Sequence, residues 1–519
     1  MADLRIALYM LTAALCLSLT ACRGGGEFGF SEPSGVATLG IISGLKGTVE
    51  PCGCTSKPLG GLPRIAFELE TLRREKGAQL LVVGDTFYEL ESPPAERVDS
   101  EIAKAQVIRD ALATMPTLGL VTGAKDDAGP QWSSLLSNHD LPHFRTQDQS
   151  GLGFDVQIRI ETIEGVRVGV IGLSGQVTPR TYEHYTQAAL HAKDSGAEIV
   201  VAMFPVHGMS IRDHLKNVSG VDIAVGGGTD AEESPLMVGD TLVVHARDKG
   251  RELGILEIHR KTEGPFVFDD QGAEQKRSLN ARITSLRRRV DAMDDGPARD
   301  ARAKKLMTLE TRLDSLVVAE PEGNFFRWNV LPVTKKGSSD SRIATLVKDY
   351  NLSLCDIAAT SMPASCPPAP SGEAYAGNAV CKACHAEAFN VYAHTSHAKA
   401  WSTLEVAGKQ CDVGCIKCHS VGFQEPGGPC SLKTLDGFKD VGCENCHGPG
   451  QSHIADPMNR ESWSPKFIAA PTEATCLTCH TPEHSDLFDY AVYLPKVLGP
   501  GHGQKRSPAA ALELKTVEP

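Results

Sequence analysis

The sequence predicts a multidomain protein: an α/β layered domain, then a helical hairpin, then a mainly α domain built around bound cofactors. Three observations predict it. Strand-length apolar runs alternate with amphipathic stretches between residues 36 and 270. Apolar residues stepping by three and four follow. Cysteine and histidine then crowd the end of the chain: ten of the 16 cysteines and nine of the 17 histidines lie beyond residue 370. A length of 519 residues suits several domains of about 100–200 residues each. Hydrophobic residues at 41% and charged ones at 22% exclude a wholly disordered chain. Lys+Arg number 52 against 64 Asp+Glu, a net charge of −12, so no overall basic footprint for nucleic acid exists.

Residues 1–21 read as a lipoprotein signal peptide. Arg5 precedes an apolar run, Ile6 to Leu19, too short for a good spanning helix. It ends in Leu19-Thr20-Ala21-Cys22, which resembles a bacterial lipobox: an apolar residue, two small residues, then the cysteine that takes the lipid. A plain secretory signal with an incidental cysteine is the alternative. The lipobox reading makes Cys22 the membrane anchor and residues 22–35 a flexible tether. It places the protein in the bacterial cell envelope, periplasmic or at the outer membrane or surface. That compartment is oxidising and permits disulfides.

Residues 36–270 give the α/β domain. The strand candidates are Val36–Ile42, Leu80–Val83, Leu118–Val121, Val166–Leu173, Ile199–Phe204 and Ile223–Val225. Arg64–Lys76 and Glu101–Met115 are amphipathic helix candidates, so a layered sheet with helices outside is expected. Gly60-Gly61-Leu62-Pro63-Arg64, Leu80 to Asp85, and Val221 to Gly227 resemble segments of the calcineurin-like metallophosphatases, especially the 5′-nucleotidase branch, over residues 36–260. The departures fall on the metal ligands. The family's Asp-x-His is replaced near Ile41–Leu45, its Gly-Asn-His-Glu by Gly123-Ala124-Lys125-Asp126, and its Gly-His-x-His by Gly228-Thr229-Asp230. Asp85 and His207 alone survive as ligand candidates, too few for a two-metal centre, so the domain is expected to be degenerate. Cys52 and Cys54 lie one residue apart in a Gly-rich loop. They suit a soft-metal site with His207 and Asp85, a redox-active disulfide, or plain structural pairing.

Residues 271–320 give the hairpin. Leu279, Ile283, Leu286, Val290 and Met293 form one seam, and Leu306, Leu309, Leu313 and Leu316 the other, with Gly296-Pro297 breaking them. Arg287-Arg288-Arg289 reads as a solvated face. Residues 321–370 are expected to be a linker, with strand alternation at Phe325–Val333, helical spacing at Ser341–Leu354, and a Pro- and Ser-rich end after Ser361. Cys355 and Cys366 are expected to pair across a short loop, and Cys411 with Cys430.

Residues 371–505 carry four Cys-x-x-Cys-His units: Cys381, Cys384 and His385; Cys415, Cys418 and His419; Cys443, Cys446 and His447; and Cys476, Cys479 and His480. Two thiols at this spacing reach the two vinyl groups of one porphyrin, and the adjacent imidazole reaches its iron. A structural zinc would need closed sets of four ligands. Four haem c groups are therefore expected. Met458 is the single methionine beyond residue 370, so most second axial ligands must be histidine. Ser396-His397-Ala398 with Trp401, and the run Gly442 to His453, resemble the tetrahaem cytochrome c family of the hydroxylamine-oxidation pathway, over residues 375–485. That resemblance implies closely stacked haems, distal ligands from His397 and His453, and often one haem with no distal ligand. His502 is the next ligand candidate, then His484 and His394. Residues 506–519 form a tail. The expectation is an electron-transfer protein with redox partner proteins. The alternative is an enzyme, either a phosphoesterase in the first domain or a reductase of a small nitrogen or oxygen species at an open haem.

Overall fold

The computed structural model describes residues 35–51, 58–137, 139–145, 156–207, 210–228, 235–269, 271–316, 320–363, 365–370, 372–482 and 484–502. The signal peptide with Cys22, the residues Cys52 and Cys54, and the tail 506–519 lie outside them.

The first domain is the layered α/β domain expected, with two six-stranded sheets. In spatial order the first sheet runs β11 (Phe266–Phe268), β12 (Asn324–Pro332), β10 (Glu252–Arg260), β1 (Gly35–Ser43), β2 (Gln79–Val83) and β3 (Thr117–Val121). The second runs β4 (Gln157–Ile163), β5 (Val166–Gly172), β6 (Ile199–His207), β7 (Ile223–Gly227), β9 (Thr241–Val244) and β8 (Leu236–Val238). All six strand candidates lie in these sheets. β1, β2 and β3 are parallel, as are β5, β6 and β7. Strands buried on both faces read as continuous β-branched runs, which is what Ile199-Val200-Val201 is.

The facing surfaces of the sheets form one core, including Leu39, Ile41, Leu81 and Val83 from the first and Val168, Val170, Val201 and Val225 from the second. Helices cover the outer faces; the longer ones are numbered in chain order. α1 (Leu62–Lys76) and α2 (Val98–Thr114) lay Ile65, Leu69, Ile108 and Leu112 on the first sheet. α3 (Pro179–Asp194) lays Tyr185, Ala188 and Ala192 on the second. The architecture is an α/β/β/α sandwich. Between β11 and β12 the chain leaves as the hairpin α4 (Gln271–Asp291) and α5 (Pro297–Asp314), sealed by Leu279, Ile283 and Leu309.

The stretch 321–370 is not a linker. β12 pairs with β10 from Glu252↔Pro332 to His259↔Phe325, and buries Phe325, Phe326 and Trp328. α6 (Ser341–Ser361), capped by Asp340 accepting from the Arg342 and Ile343 amides, packs Ile343, Val347, Tyr350 and Leu354 into the first sheet's outer core. Its last turn carries Ala358, followed by Met362, into a small cluster of the C-terminal region. The helix therefore belongs to both halves. The expected disulfides are also wrong: the bonds join Cys355 to Cys411 and Cys366 to Cys430. Cys355 sits inside α6, whose rise of about 1.5 Å per residue carries the chain about 9 Å further before it can turn. Disulfides need α-carbons within about 7 Å, so Cys355 bonds across to the other region instead. Lys409 Nζ adds an ion pair with Glu50 Oε2 at 2.8 Å.

The C-terminal region is a run of short helices and turns. Its one apolar cluster holds Trp401, Leu404, Val413, Ile416, Phe423 and Leu435. Among the described residues from 436 to 502, no Ala, Val, Ile, Leu, Met, Phe, Tyr or Trp side chain is buried. Among the described residues, no helix is long and apolar enough to cross a membrane.

Candidate haem-binding sites

The motifs sit on or beside short helices. Val413–His419 carries the second motif and Cys443–His447 the third, while Asn378–Cys381 opens the first and Glu473–Leu477 leads into the fourth. A helical turn places the two cysteines on one side and the histidine just beyond. Asp412 caps the second, its carboxylate accepting from the Gly414 amide at 3.0 Å. The third is held by Glu444, whose carboxylate accepts from the Ala376, Gly377 and Gly450 amides at 2.7–3.2 Å. Asn378 Oδ1 accepts from the Cys443 amide at 2.9 Å. The segment leading into the first motif is thereby tied to the third. Sequence reasoning passed over Glu444 because it occupies one of the motif's two unspecified positions.

The cysteines sort cleanly. None of the eight motif cysteines is in a disulfide, while Cys355, Cys366, Cys411 and Cys430 are. Thiols of different motifs meet. Cys381 hydrogen-bonds with Cys443, which pushes the Cys381 thiol up. Cys418 hydrogen-bonds with Cys479, which holds the Cys479 thiol down at about 6. The first motif therefore adjoins the third, and the second adjoins the fourth.

The histidines are oriented for a metal. His419 Nδ1 lies 2.7 Å from the Ala400 carbonyl oxygen, and His447 Nδ1 lies 2.8 Å from that of Ile468. His480 Nδ1 lies 3.0 Å from Ser485 Oγ. With Nδ1 donating in these bonds, Nε2 keeps its lone pair for iron. Two motif histidines also face a second imidazole. His385 and His453 have ring centroids 6.1 Å apart, and so do His397 and His480. One metal between two imidazoles, with metal–nitrogen bonds of about 2.0–2.1 Å, puts the ring centroids about 6 Å apart. The residues fit haem on this test. The lack of buried apolar side chains among the described residues from 436 to 502, around the third and fourth motifs, fits as well, since flat apolar groups would occupy that place.

His397 and His453 are thus brought to motif histidines, each held below its ordinary pKa by burial and by the charge of the facing ring. His502 is lowered by burial, then by the charges of His447 and His385. His394 instead lies with Nδ1 2.7 Å from the Asn390 carbonyl oxygen, one turn back in the chain, and His484 lies near Cys479. Met458 is 93% exposed and points at no motif. Aromatic rings against the ligands were not anticipated from sequence: Phe488 stacks on His480 at 4.3 Å, and Phe467 on His453 at 5.0 Å.

The surviving phosphatase residues share one edge of the sandwich. Asp85 follows β2, and His207 ends β6 beside Gly227. The donor set there does not fit two metals. A Cβ on Gly44 would lie 2.9 Å from the Gly228 nitrogen, and one on Gly84 would lie 2.8 Å from the Gly227 α-carbon. Bare backbones therefore meet where ligand side chains would be needed. Lys46 Nζ pairs with Asp248 at 2.7 Å, so a fixed ammonium supplies positive charge. Asp126 is fully buried and accepts from the Thr86, Phe87 and Tyr88 amides, a structural duty.

A family model for cytochrome c554 and c-prime matches residues 380–448. The C-terminal region is cytochrome c-like. The matched stretch spans the first three motifs. No curated protein matches the chain. Among solved structures the chain is similar to a 5′-nucleotidase precursor from Thermus thermophilus, at 15% identity over 61% of this chain and 58% of that one, TM-score 0.39. It is similar to the sulfate thiohydrolase SoxB of Thermus thermophilus, at 14% identity over 62% and 61%, TM-score 0.39. It is also similar to a putative 5′-nucleotidase from Staphylococcus aureus, at 13% identity over 81% and 72%, TM-score 0.40. The chain spans less than two thirds of the length of the first two.

Proposed function

We propose that this chain is a membrane-anchored multihaem c-type cytochrome that carries electrons through four covalently bound haems in the bacterial envelope. The observation that carries the reading is the pair of opposed imidazole couples, His385 with His453 and His397 with His480, each 6.1 Å apart beside free Cys-x-x-Cys thiols. Haem iron, when bound, supplies one-electron chemistry, while ligands and polarity set its potential. The residues do the holding. Cys381 and Cys384, Cys415 and Cys418, Cys443 and Cys446, and Cys476 and Cys479 attach the four groups. His385, His419, His447 and His480 ligate from one face, and His453, His397 and His502 from the other. His502 is assigned to His447 because both opposed couples are already complete. Histidine on both faces favours lower potentials than a methionine partner would.

Lipid at Cys22 tethers the assembly, and the sandwich domain serves as a docking scaffold for redox partner proteins. A second reading follows from this assignment, which gives His419 no second histidine: a small nitrogen or oxygen species binds at that haem. Hydrolysis of phosphate esters is not supported, because Lys46 and the meeting glycines occupy the old metal edge.

Mass spectrometry and the visible and EPR spectra of the native protein test the reading. Four haem masses on the mature chain, with mainly low-spin signal, are expected. Eight unmodified thiols would overturn it. Carbon monoxide should perturb at most one haem, and metal-dependent phosphate release should be undetectable.

A further inference from the structure

The segment Trp463–Ile468 touches ligands of two different motifs. Phe467 lies against His453 with centroids 5.0 Å apart and planes 21° apart, and against His447 at 6.2 Å and 28°. Both fall inside the range of aromatic ring contact. His453 faces the first motif's histidine, whereas His447 belongs to the third motif. The neighbouring residues fix this arrangement. The Ile468 carbonyl oxygen lies 2.8 Å from His447 Nδ1, and the Ile468 amide donates to the His447 carbonyl oxygen at 2.7 Å. Trp463 meets His453 edge-on at 4.4 Å and Phe467 at 5.4 Å. The Ser464 amide donates to Ser452 Oγ at 2.7 Å, next to His453 in the chain. The segment is therefore latched at both ends.

We propose that Phe467 is a positioning residue that sets the ring planes of His453 and His447 together, and so couples the axial geometry of the first and third haems. The proposal rests on the haem reading above. The position is not a generic packing site: Phe467 is only partly buried and belongs to none of the apolar clusters. Its ring contacts are His447, His453 and Trp463. The planes of His385 and His453 stand 35° apart, and those of His397 and His480 stand 43° apart. In a low-spin ferric centre that angle governs the g-anisotropy, so EPR reads the arrangement directly.

The test compares the intact, haem-loaded protein with Phe467→Leu, Phe467→Tyr and Phe488→Leu, using EPR and a spectroelectrochemical titration. Phe467→Leu should keep all four haem masses yet shift the g-values and potentials of two haems. Phe467→Tyr keeps the flat ring and should restore the native spectrum. Phe488→Leu, which removes the ring stacked on His480, should shift a different signal. A Phe467→Leu protein with native EPR and native potentials overturns the proposal alone, as does an equal shift of all four haems. A native protein lacking haem overturns the underlying reading and this inference with it, and mass spectrometry separates the two failures.

Discussion

The two halves of the molecule hold themselves together in different ways. The sandwich carries three apolar clusters, with side chains such as Leu39, Val201 and Phe204 wholly out of water. Each such residue contributes roughly 1.5–3 kcal/mol on burial, so this half folds by its own side chains. Beyond residue 435 the C-terminal half buries Glu444, Ser452 and Ser464 but no large apolar side chain among the described residues. Apolar groups there stay exposed, Leu477 at 45% and Leu487 at 65%. Under the proposed reading this is the surface that the haems would cover. The contrast teaches that one half is held by three apolar clusters, while the other has one small cluster and a polar remainder.

The sharpest way to break that contrast is to block haem attachment. With the eight motif cysteines changed to serine, residues 436–502 should lose amide protection in hydrogen exchange. Strands β1 to β10 should keep theirs. Equal protection in both proteins would show that the C-terminal half has a core of its own.

The next largest effect tests the joint between the halves. Cys355 and Cys411 close a loop with a sequence separation of 56. Replacing both with alanine should cost about 4 kcal/mol of stability, by the chain-entropy estimate for a loop of that size. Chemical denaturation followed by haem absorbance and by tryptophan fluorescence should show the two transitions separating. Unchanged, coincident transitions would mean that α6 packing, the Cys366–Cys430 bond and the Lys409–Glu50 pair couple the halves without it.

A smaller effect belongs to the sandwich alone. Burial, then the charge of Arg145, hold His143 at about 4, below its ordinary 6.5. Its Nε2 lies 2.9 Å from Ser174 Oγ and 3.1 Å from Thr122 Oγ1. Above pH 6.5 the ring is neutral in both states, and its contribution is complete. Below that the unfolded chain takes up the proton first, so stability falls progressively down to about pH 4. The loss is about 3 kcal/mol at 1.36 kcal/mol per pKa unit. Thermal melts of the wild type against His143→Gln should differ in slope over that window. Haem absorbance measured at temperatures below the melt should not change.

Local chemistry was legible in the sequence. The Cys-x-x-Cys-His units, from Cys381 to His385 and its three counterparts, are read within five consecutive residues, and no fold is needed to find them. The six strand candidates were legible too, because a strand buried on both faces is an unbroken apolar run. That Lys125 and Gly228 stand where the metallophosphatase resemblance expects metal ligands was legible as well. Pairings between distant residues were not legible. β12 looked like part of a linker because only its contact with β10 tells where Phe325 goes. The disulfides were misassigned because sequence nearness says nothing about which way Cys355 faces on α6. His453 opposing His385, and Phe467 touching two ligands at once, depend on turns that bring separate segments of the chain into contact. The sequence by itself determined which groups can be bound, since covalent spacing is a property of the chain. Only the tertiary structure decided which histidine meets which motif, because an axial ligand is defined by a distance through space.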